Sequence, residues 1–369
     1  MRFDGRTDLS AADDTVRVGL IGYGYVAKTF HAPMITATPG LELVAVASSR
    51  PADVHADHPG VQVVDADELI ARGDLDLVVI ASPNDTHRPL AEAALTAGHH
   101  VIVDKPFTLS LQDARAIIDT ADRCQRIVSV FQNRRWDSDY LGIKQVIDGG
   151  LIGEVAHFES HIDRFRPSPR DRWRENPGPG AGLWFDLGPH LADQALQLFG
   201  LPDTVTADFG CLRAGSRTDD WAHVILDYPR LRVVLHGSMI AAGAHTRFIA
   251  HGTAGTVVKH RSDIQEDQLK AGVSPGAPGW GEDSDDMLLY DADGRQMSRP
   301  TPPGNQLRYY RELHQAITAE GPNPVPPHQI LAVMAVIDAA RLSAQTGRRT
   351  ELALSPEERK HWNYPVDRI

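Results

Sequence analysis

The stretch "VRVGLIGYGYVAKTF", residues 16 to 30, constrains the fold more than any other part of the chain. "VRVGLI" reads as a short buried strand, and a helical pattern begins a few residues later. Between them Gly22-Tyr23-Gly24-Tyr25-Val26-Ala27 must turn the chain tightly. Glycine at the first two positions permits that turn and lets a pyrophosphate approach the backbone, while the small Ala27 lets the helix pack near the strand. The free N–H groups and dipole of the helix N-terminus favour negative charge at the same place. A glycine loop set between a strand and a helix therefore points to dinucleotide binding on a parallel sheet.

The following residues agree with that sheet. Short apolar runs "LELVAVAS" (41–48), "VQVV" (61–64), "LDLVVIA" (75–81), "HVIV" (100–103) and "IVSVF" (127–131) alternate with amphipathic segments. One segment, 89–97, closes at Gly98 as a helix C-cap, and another, 111–126, opens at Ser110 as an N-cap. Strand–helix alternation with apolar strands implies a doubly wound parallel sheet covered on both faces.

After Trp136 strand candidates follow one another, at 154–165, 204–212, 221–228, 231–240 and 246–252, several with period-two alternation. Residues 262–306 are polar and rich in Gly and Pro, which reads as a long surface excursion; helical periodicity returns at 307–319 and 330–345. The expected domains are a loose tail at 1–15, a dinucleotide-binding domain at 16–135 and an α+β domain for substrate and oligomerisation at 136–369.

A formal net charge of -12 argues against a nucleic-acid surface, although the arginines between Arg164 and Arg174 are suited to a local anionic ligand. No apolar run approaches the roughly 20 residues of a membrane span. The start of the chain lacks a secretory pattern. Cys124 and Cys211 have no paired spacing, which fits a reducing, cytoplasmic setting without a disulfide framework. Seventeen histidines show no metal-ligand spacing, so no metal is expected.

Two details sharpen the chemistry. An NAD site usually carries an acidic residue at the end of the second strand, to bind the ribose hydroxyls. Here that strand ends Ser48-Ser49-Arg50, which instead suits a 2′-phosphate and favours NADP over NAD; the alternative is that Arg50 is a solvated loop residue. The fifth strand runs straight into Asp104-Lys105-Pro106, at the strand end where open α/β sheets bind ligands. Far along the chain, Asp186 and His190 are four apart in "DLGPH". Pro189 implies either a helix starting near Gly188 or a kink there. Oxidising an alcohol with a nicotinamide requires a base for the hydroxyl proton and a cation for the developing alkoxide. His190, with a pKa near neutrality, suits the first task and Lys105 the second, with Asp186 orienting substrate or imidazole.

The glycine loop at 22–27, "DKP" at 104–106 and "DLGPH" at 186–190 resemble the Gfo/Idh/MocA family of nicotinamide-dependent oxidoreductases over essentially the whole chain after the tail. That resemblance implies an N-terminal Rossmann domain and a large, open, mostly antiparallel C-terminal sheet. It also implies Lys105, Asp186 and His190 as the catalytic set and a homodimer or homotetramer. The family's strand-end motif is usually Glu-Lys-Pro, so Asp104 departs from it while keeping a carboxylate. Pro106, with a cis bond as one option, would hold the bend. Pro83, Asn84 and His87 resemble the nicotinamide-side loop. "VFQNRRWDSDY", "SHIDRFRPSPRDRWRE" and "DLGPHLADQALQLFG" are similar to a branch that includes NADP-dependent scyllo-inositol dehydrogenase and YdgJ-like proteins. It implies a cyclic polyol or sugar as substrate, with Asn133, Arg164, Trp173 and Tyr309 as pocket residues. The alternative for Trp136 and Trp173 is packing, and for the arginines interface ion pairs. A non-catalytic NADP-binding sensor and an oxidoreductase or glycosidase with tightly held cofactor are the competing functions.

Overall fold

The computed structural model describes residues 15–243, 246–319 and 321–363, so the expected tail, apart from Thr15, lies outside the described residues. The first six strands are β1 (Val16–Ile21), β2 (Leu41–Ala47), β3 (Gln62–Val64), β4 (Leu77–Ile80), β5 (His100–Val103) and β6 (Val128–Val130). They form one sheet in the order β3-β2-β1-β4-β5-β6, parallel throughout. The order reverses between β1 and β4, and a crevice opens at the carboxyl ends of strands at such a reversal. All of β4 is buried, as expected for a strand covered on both faces. The helix Leu111–Cys124 is capped by Ser110, whose Oγ accepts from Asp113 N at 3.1 Å. The helix His87–Thr96 ends just before Gly98, which has φ +97°.

The second sheet contains β7 (Val155–Asp163), β8 (Thr204–Gly210), β9 (Trp221–Asp227), β10 (Arg232–Ser238), β11 (Phe248–Gly252), β12 (Gly255–Lys259), β13 (Met287–Asp291) and β14 (Gln296–Arg299). Its order is β14-β13-β12-β11-β7-β10-β9-β8, and only the β7–β10 pairing is parallel among those described. Phe158, Ser160 and Ile162 of β7 are buried, whereas Glu159, His161 and Asp163 alternate onto the opposite, more open face. The helix Leu183–Phe199 covers the inner face, packing on β7, β9 and β10. The helix Pro327–Thr346 packs on it and on β8, and also reaches Leu111–Cys124 and β6. That position explains its apolar sequence: Ile330 to Ile337 are buried without a break.

Several expectations need correction. The stretch 262–306 is not only surface excursion: it contains the helix Gln265–Lys270 and strands β13 and β14. Every residue of β14 is exposed, so this edge strand has no hydrophobic alternation to detect. The helix Ser138–Asp148 and strand β12 also lacked a recognised pattern. The helix Leu307–Thr318 lies against β1 and the helix Ala32–Ala37, so a late segment packs on the first sheet. Tyr310 shows the contact directly, with its hydroxyl 2.6 Å from His31 Nδ1. Finally, the helix carrying Asp186 starts at Leu183, not near Gly188, and continues through Pro189. Its first turn is capped from another loop: Asp219 Oδ2 accepts Trp184 N at 2.7 Å and Asp219 O accepts Leu183 N at 2.9 Å.

Candidate active site

Gly22 ends β1 with φ +92°, and a Cβ there would lie 2.7 Å from the Ala81 carbonyl oxygen. Only glycine fits that crossing. A Cβ on Gly24 would meet no atom within 4 Å, so the space above it is open to a ligand. Ala27 is fully buried where the helix meets the sheet. A cavity of about 880 Å³ beyond β1, β2 and β4 is lined by Gly22, Ser48, Ser49 and Arg50, together with Asp65, Ser82 and Thr86. Ser82 and Thr86 belong to the loop after β4, expected at the cofactor edge, whereas Asp65 was not anticipated from sequence. Arg50 donates from Nη2 to the Tyr23 carbonyl at 2.6 Å and lies 3.4 Å from Asp53, which holds its guanidinium at the cavity rim. With Lys28 it also borders the adjoining hollow beside Gly24. The open glycine loop, the helix start and these cations fit the dinucleotide that the loop motif implies.

The loop after β4 has a different task. His87 is fully buried, with Nδ1 3.0 Å from Pro106 O and Nε2 3.0 Å from Ser82 O, and so ties that loop to the one after β5. Burial lowers its pKa. Asn84 is buried too and donates to Gly180 O at 3.2 Å. None of these lines the cavity beyond β1, β2 and β4: the buried Asn84 and His87 stand behind its wall, and Pro83 is exposed. Asp104 is almost wholly buried, with Oδ1 3.7 Å from His31 Nε2. Burial alone would raise its pKa, but His31, Lys105 and His87 outweigh it and hold the carboxylate below its ordinary range.

A second cavity, of about 380 Å³, lies between the two sheets and brings together Tyr25 and Val26 of the glycine loop with Lys105, Asp186 and His190. Lys105 comes from the end of β5, before a cis Pro106. Its Nζ donates to Asp186 Oδ1 at 3.1 Å and to Asp186 O at 2.8 Å. Burial would raise the Asp186 pKa, yet Lys105, Arg174 and Arg164 press it well below the carboxylate range. His190 stands one helical turn further on, buried, with Nδ1 unpartnered among the described residues. Its pKa is not near neutrality as the sequence argument expected. Burial, reinforced by Lys105, Arg134, Arg247 and Arg164, lowers it well below 6.5, so the imidazole is neutral.

Asn133 and Arg164 line this cavity, as expected for pocket residues. Trp173 and Tyr309 do not. Trp173 is 40% exposed and stacks under Arg174, whose Cζ is 4.4 Å from its ring centre. Tyr309 is fully buried in the core, with its hydroxyl donating to Ser129 Oγ at 3.0 Å and its ring packed on Phe131 and Trp136. Sequence reading missed Glu266 and Lys270, which the 262–306 segment brings to the cavity lining. Tyr25 fastens them, its hydroxyl donating to Glu266 Oε1 at 2.7 Å.

One cluster with metal-ligand geometry occurs among the described residues, away from this cavity: His161, Asp163 and His236 on the open face of the second sheet. Alternate residues of β7 share a face, and His236 sits opposite His161 in the β7–β10 register, a juxtaposition that linear spacing cannot reveal.

Comparison with known proteins agrees with this architecture. Residues 16–132 match "Oxidoreductase family, NAD-binding Rossmann fold", and residues 144–352 match "Oxidoreductase family, C-terminal alpha/beta domain". The chain belongs to the Gfo/Idh/MocA oxidoreductase family. It is 50% identical to the uncharacterized oxidoreductase YdgJ of Escherichia coli K12, over 90% of this chain and 97% of that one. It is 32% identical to scyllo-inositol 2-dehydrogenase (NADP(+)) IolW of Bacillus subtilis, over 91% of this chain and 95% of that one. A crystal structure from Klebsiella pneumoniae aligns with a TM-score of 0.90 at 52% identity, covering 95% of this chain and 98% of the other. The protein is thus an oxidoreductase with a nicotinamide-cofactor domain and a C-terminal sheet domain.

Proposed function

We propose that the protein is an NADP-dependent dehydrogenase that reversibly oxidises a ring hydroxyl of a cyclic polyol or sugar. The observation that carries this reading is the convergence of Lys105, Asp186 and His190 on one cavity beside Tyr25 and Val26 of the glycine loop. The bound nicotinamide supplies the hydride acceptor. His190 is neutral, so it is ready to take the hydroxyl proton, and with Nδ1 buried its Nε2 is the nitrogen left to the substrate. Lys105 holds positive charge against the developing alkoxide, and Asp186 fixes the ammonium through the 3.1 Å contact. Ser48, Ser49 and Arg50 at the cofactor cavity favour NADP, and the likeness to IolW points the same way.

The test is nicotinamide reduction by the purified protein with NADP or NAD against inositol isomers, scyllo-inositol first, and common pyranoses. Turnover with NADP in wild type, lost by roughly a hundredfold or more in Lys105→Ala and His190→Ala with cofactor binding kept, is the expected result. Equal loss of cofactor binding in those variants would remove the assigned roles. Tight NADP binding without turnover of any compound would move the reading to a sensor.

A further inference from the structure

The cavity holding Lys105, Asp186 and His190 carries far more positive charge than three catalytic groups require. Eight cationic side chains line it against three carboxylates, in a chain whose formal net charge is -12. Most of these cations are matched. Lys105 pairs with Asp186, and Arg174 reaches the same carboxylate at 3.5 Å. Arg134 meets Asp137 and Glu266, Lys270 meets Glu266, and Arg172 meets Glu175 at 2.6 Å. Arg164, Arg166 and Arg170 also line the cavity, and none has an ion-pair partner among the described residues.

The backbone that carries these three is held in place, with the side chains of Arg164 and Arg166 half-buried and that of Arg170 exposed. Arg164 N donates to Ser238 O and Arg166 N to Met239 O, which pins the segment to the end of β10. Behind the segment runs a buried ionic network. Arg213 donates to Asp220 Oδ2 at 2.9 Å, to Glu175 Oε2 at 3.0 Å and to the Arg166 carbonyl at 3.0 Å. Glu175 in turn accepts from Arg170 N at 3.0 Å. Gathering like charges raises the energy of the unliganded site, and among the described residues no ion pair offsets that cost at these three guanidinium groups. A guanidinium fork matches the geometry of a carboxylate or phosphate.

We propose that Arg164, Arg166 and Arg170 receive an oxyanion of the substrate, so that the compound oxidised is a ring polyol or sugar bearing a carboxylate or phosphate group. This rests on the dehydrogenase reading above and narrows it. The anion anchors one end of the ring, while Lys105 and His190 meet the hydroxyl at the other.

The experiment measures anion binding without turnover. Inorganic phosphate and D-glucuronate, with D-glucose as the neutral control, are titrated calorimetrically into protein saturated with NADPH, for wild type, Arg166→Gln/Arg170→Gln and Arg170→Lys. At least one anion is expected to bind where glucose does not, and the double variant to weaken it by roughly tenfold or more, with Arg170→Lys losing less. The NADPH dissociation constant is expected to stay within about twofold. Absence of anion binding, or binding indifferent to the double variant, would overturn the proposal. So would a parallel loss of NADPH affinity, which would assign the arginines to the cofactor's phosphates. A neutral inositol oxidised equally well by wild type and the double variant would retain the dehydrogenase reading and remove this one. Arginine-dependent anion binding without turnover of any compound would keep the anion site but remove the dehydrogenase reading, and with it the claim that the bound anion is the compound oxidised.

Discussion

At the scale of single residues, His190 shows how burial sets chemistry. Its folded pKa lies well below the ordinary 6.5, so below that pH the unfolded chain binds a proton that the native site refuses. Its contribution to stability is therefore present above pH 6.5 and is lost as pH falls from there through the folded value. For activity, the base form survives into mild acid. The acid limb of kcat/KM for alcohol oxidation, which reports the free enzyme, is expected below pH 6.5. A limb at or above that value would assign the proton to another group. Arg50 offers a second test, since its guanidinium is already held at the cofactor cavity by the Tyr23 carbonyl. Arg50→Ala is expected to weaken NADP by roughly tenfold or more and NAD much less. An unchanged NADP-to-NAD ratio in fluorescence titrations would take Arg50 out of the 2′-phosphate site.

At the scale of elements, the helix Leu183–Phe199 is the part that aims the site. Asp186 lies in its first turn and His190 one turn on, so both face Lys105 without help from a loop. Pro189 has no N–H for the carbonyl four residues back. The neighbouring Asp186 carbonyl is open enough to accept Lys105 Nζ at 2.8 Å. Gly188 is needed for packing, because a Cβ there would lie 2.7 Å from the Trp184 ring. That ring is held in turn, with Nε1 donating to Ile337 O at 3.3 Å. Gly188→Ala is therefore expected to cost about 1–3 kcal/mol and to lower kcat by turning Asp186 and His190 off their aim. Thermal melts and steady-state rates check both parts; an unchanged melt would show that Trp184 moves aside freely.

At the scale of the whole molecule, Arg135 joins the layers. It follows the first sheet and grips Asp193 of the site helix through two hydrogen bonds, at 2.8 and 2.6 Å. It also donates to Gln329 Oε1 at 2.6 Å and to Pro324 O at 3.1 Å, where the helix Pro327–Thr346 begins. Both charges are buried, so Arg135→Ala would strand the Asp193 carboxylate. It is expected to destabilise the protein by about 3–5 kcal/mol in chemical denaturation. Adding Asp193→Ala should recover part of that loss, because no unpaired charge remains. A double variant no more stable than the single one would show that the two act separately.

The first sheet was legible in the residues because its strands are short, mostly apolar runs that alternate with helical segments, and because its glycine loop has few alternative conformations. Lys105, Asp186 and His190 were legible as types, since a nicotinamide oxidation needs a base and a cation. The rest depended on contacts that linear order does not encode. Tyr309 and Trp173 are both aromatic and both plausible in a pocket, yet one is core and the other is surface. His87 could be recognised in the cofactor-edge loop, but only packing shows it fastened between two carbonyls behind the wall. The segment 262–306 lacked periodicity because its elements are short and its last strand is exposed, so its contribution to the cavity wall was invisible. Sequence by itself determined the strands of the first sheet, most of the longer elements of the second domain and which chemistry is available, because periodicity and residue type are local properties. Only the tertiary structure decided which side chains share a cavity, and so gave His190 its depressed pKa and left three arginines there without carboxylate partners among the described residues, because burial and charge proximity are properties of the assembled fold.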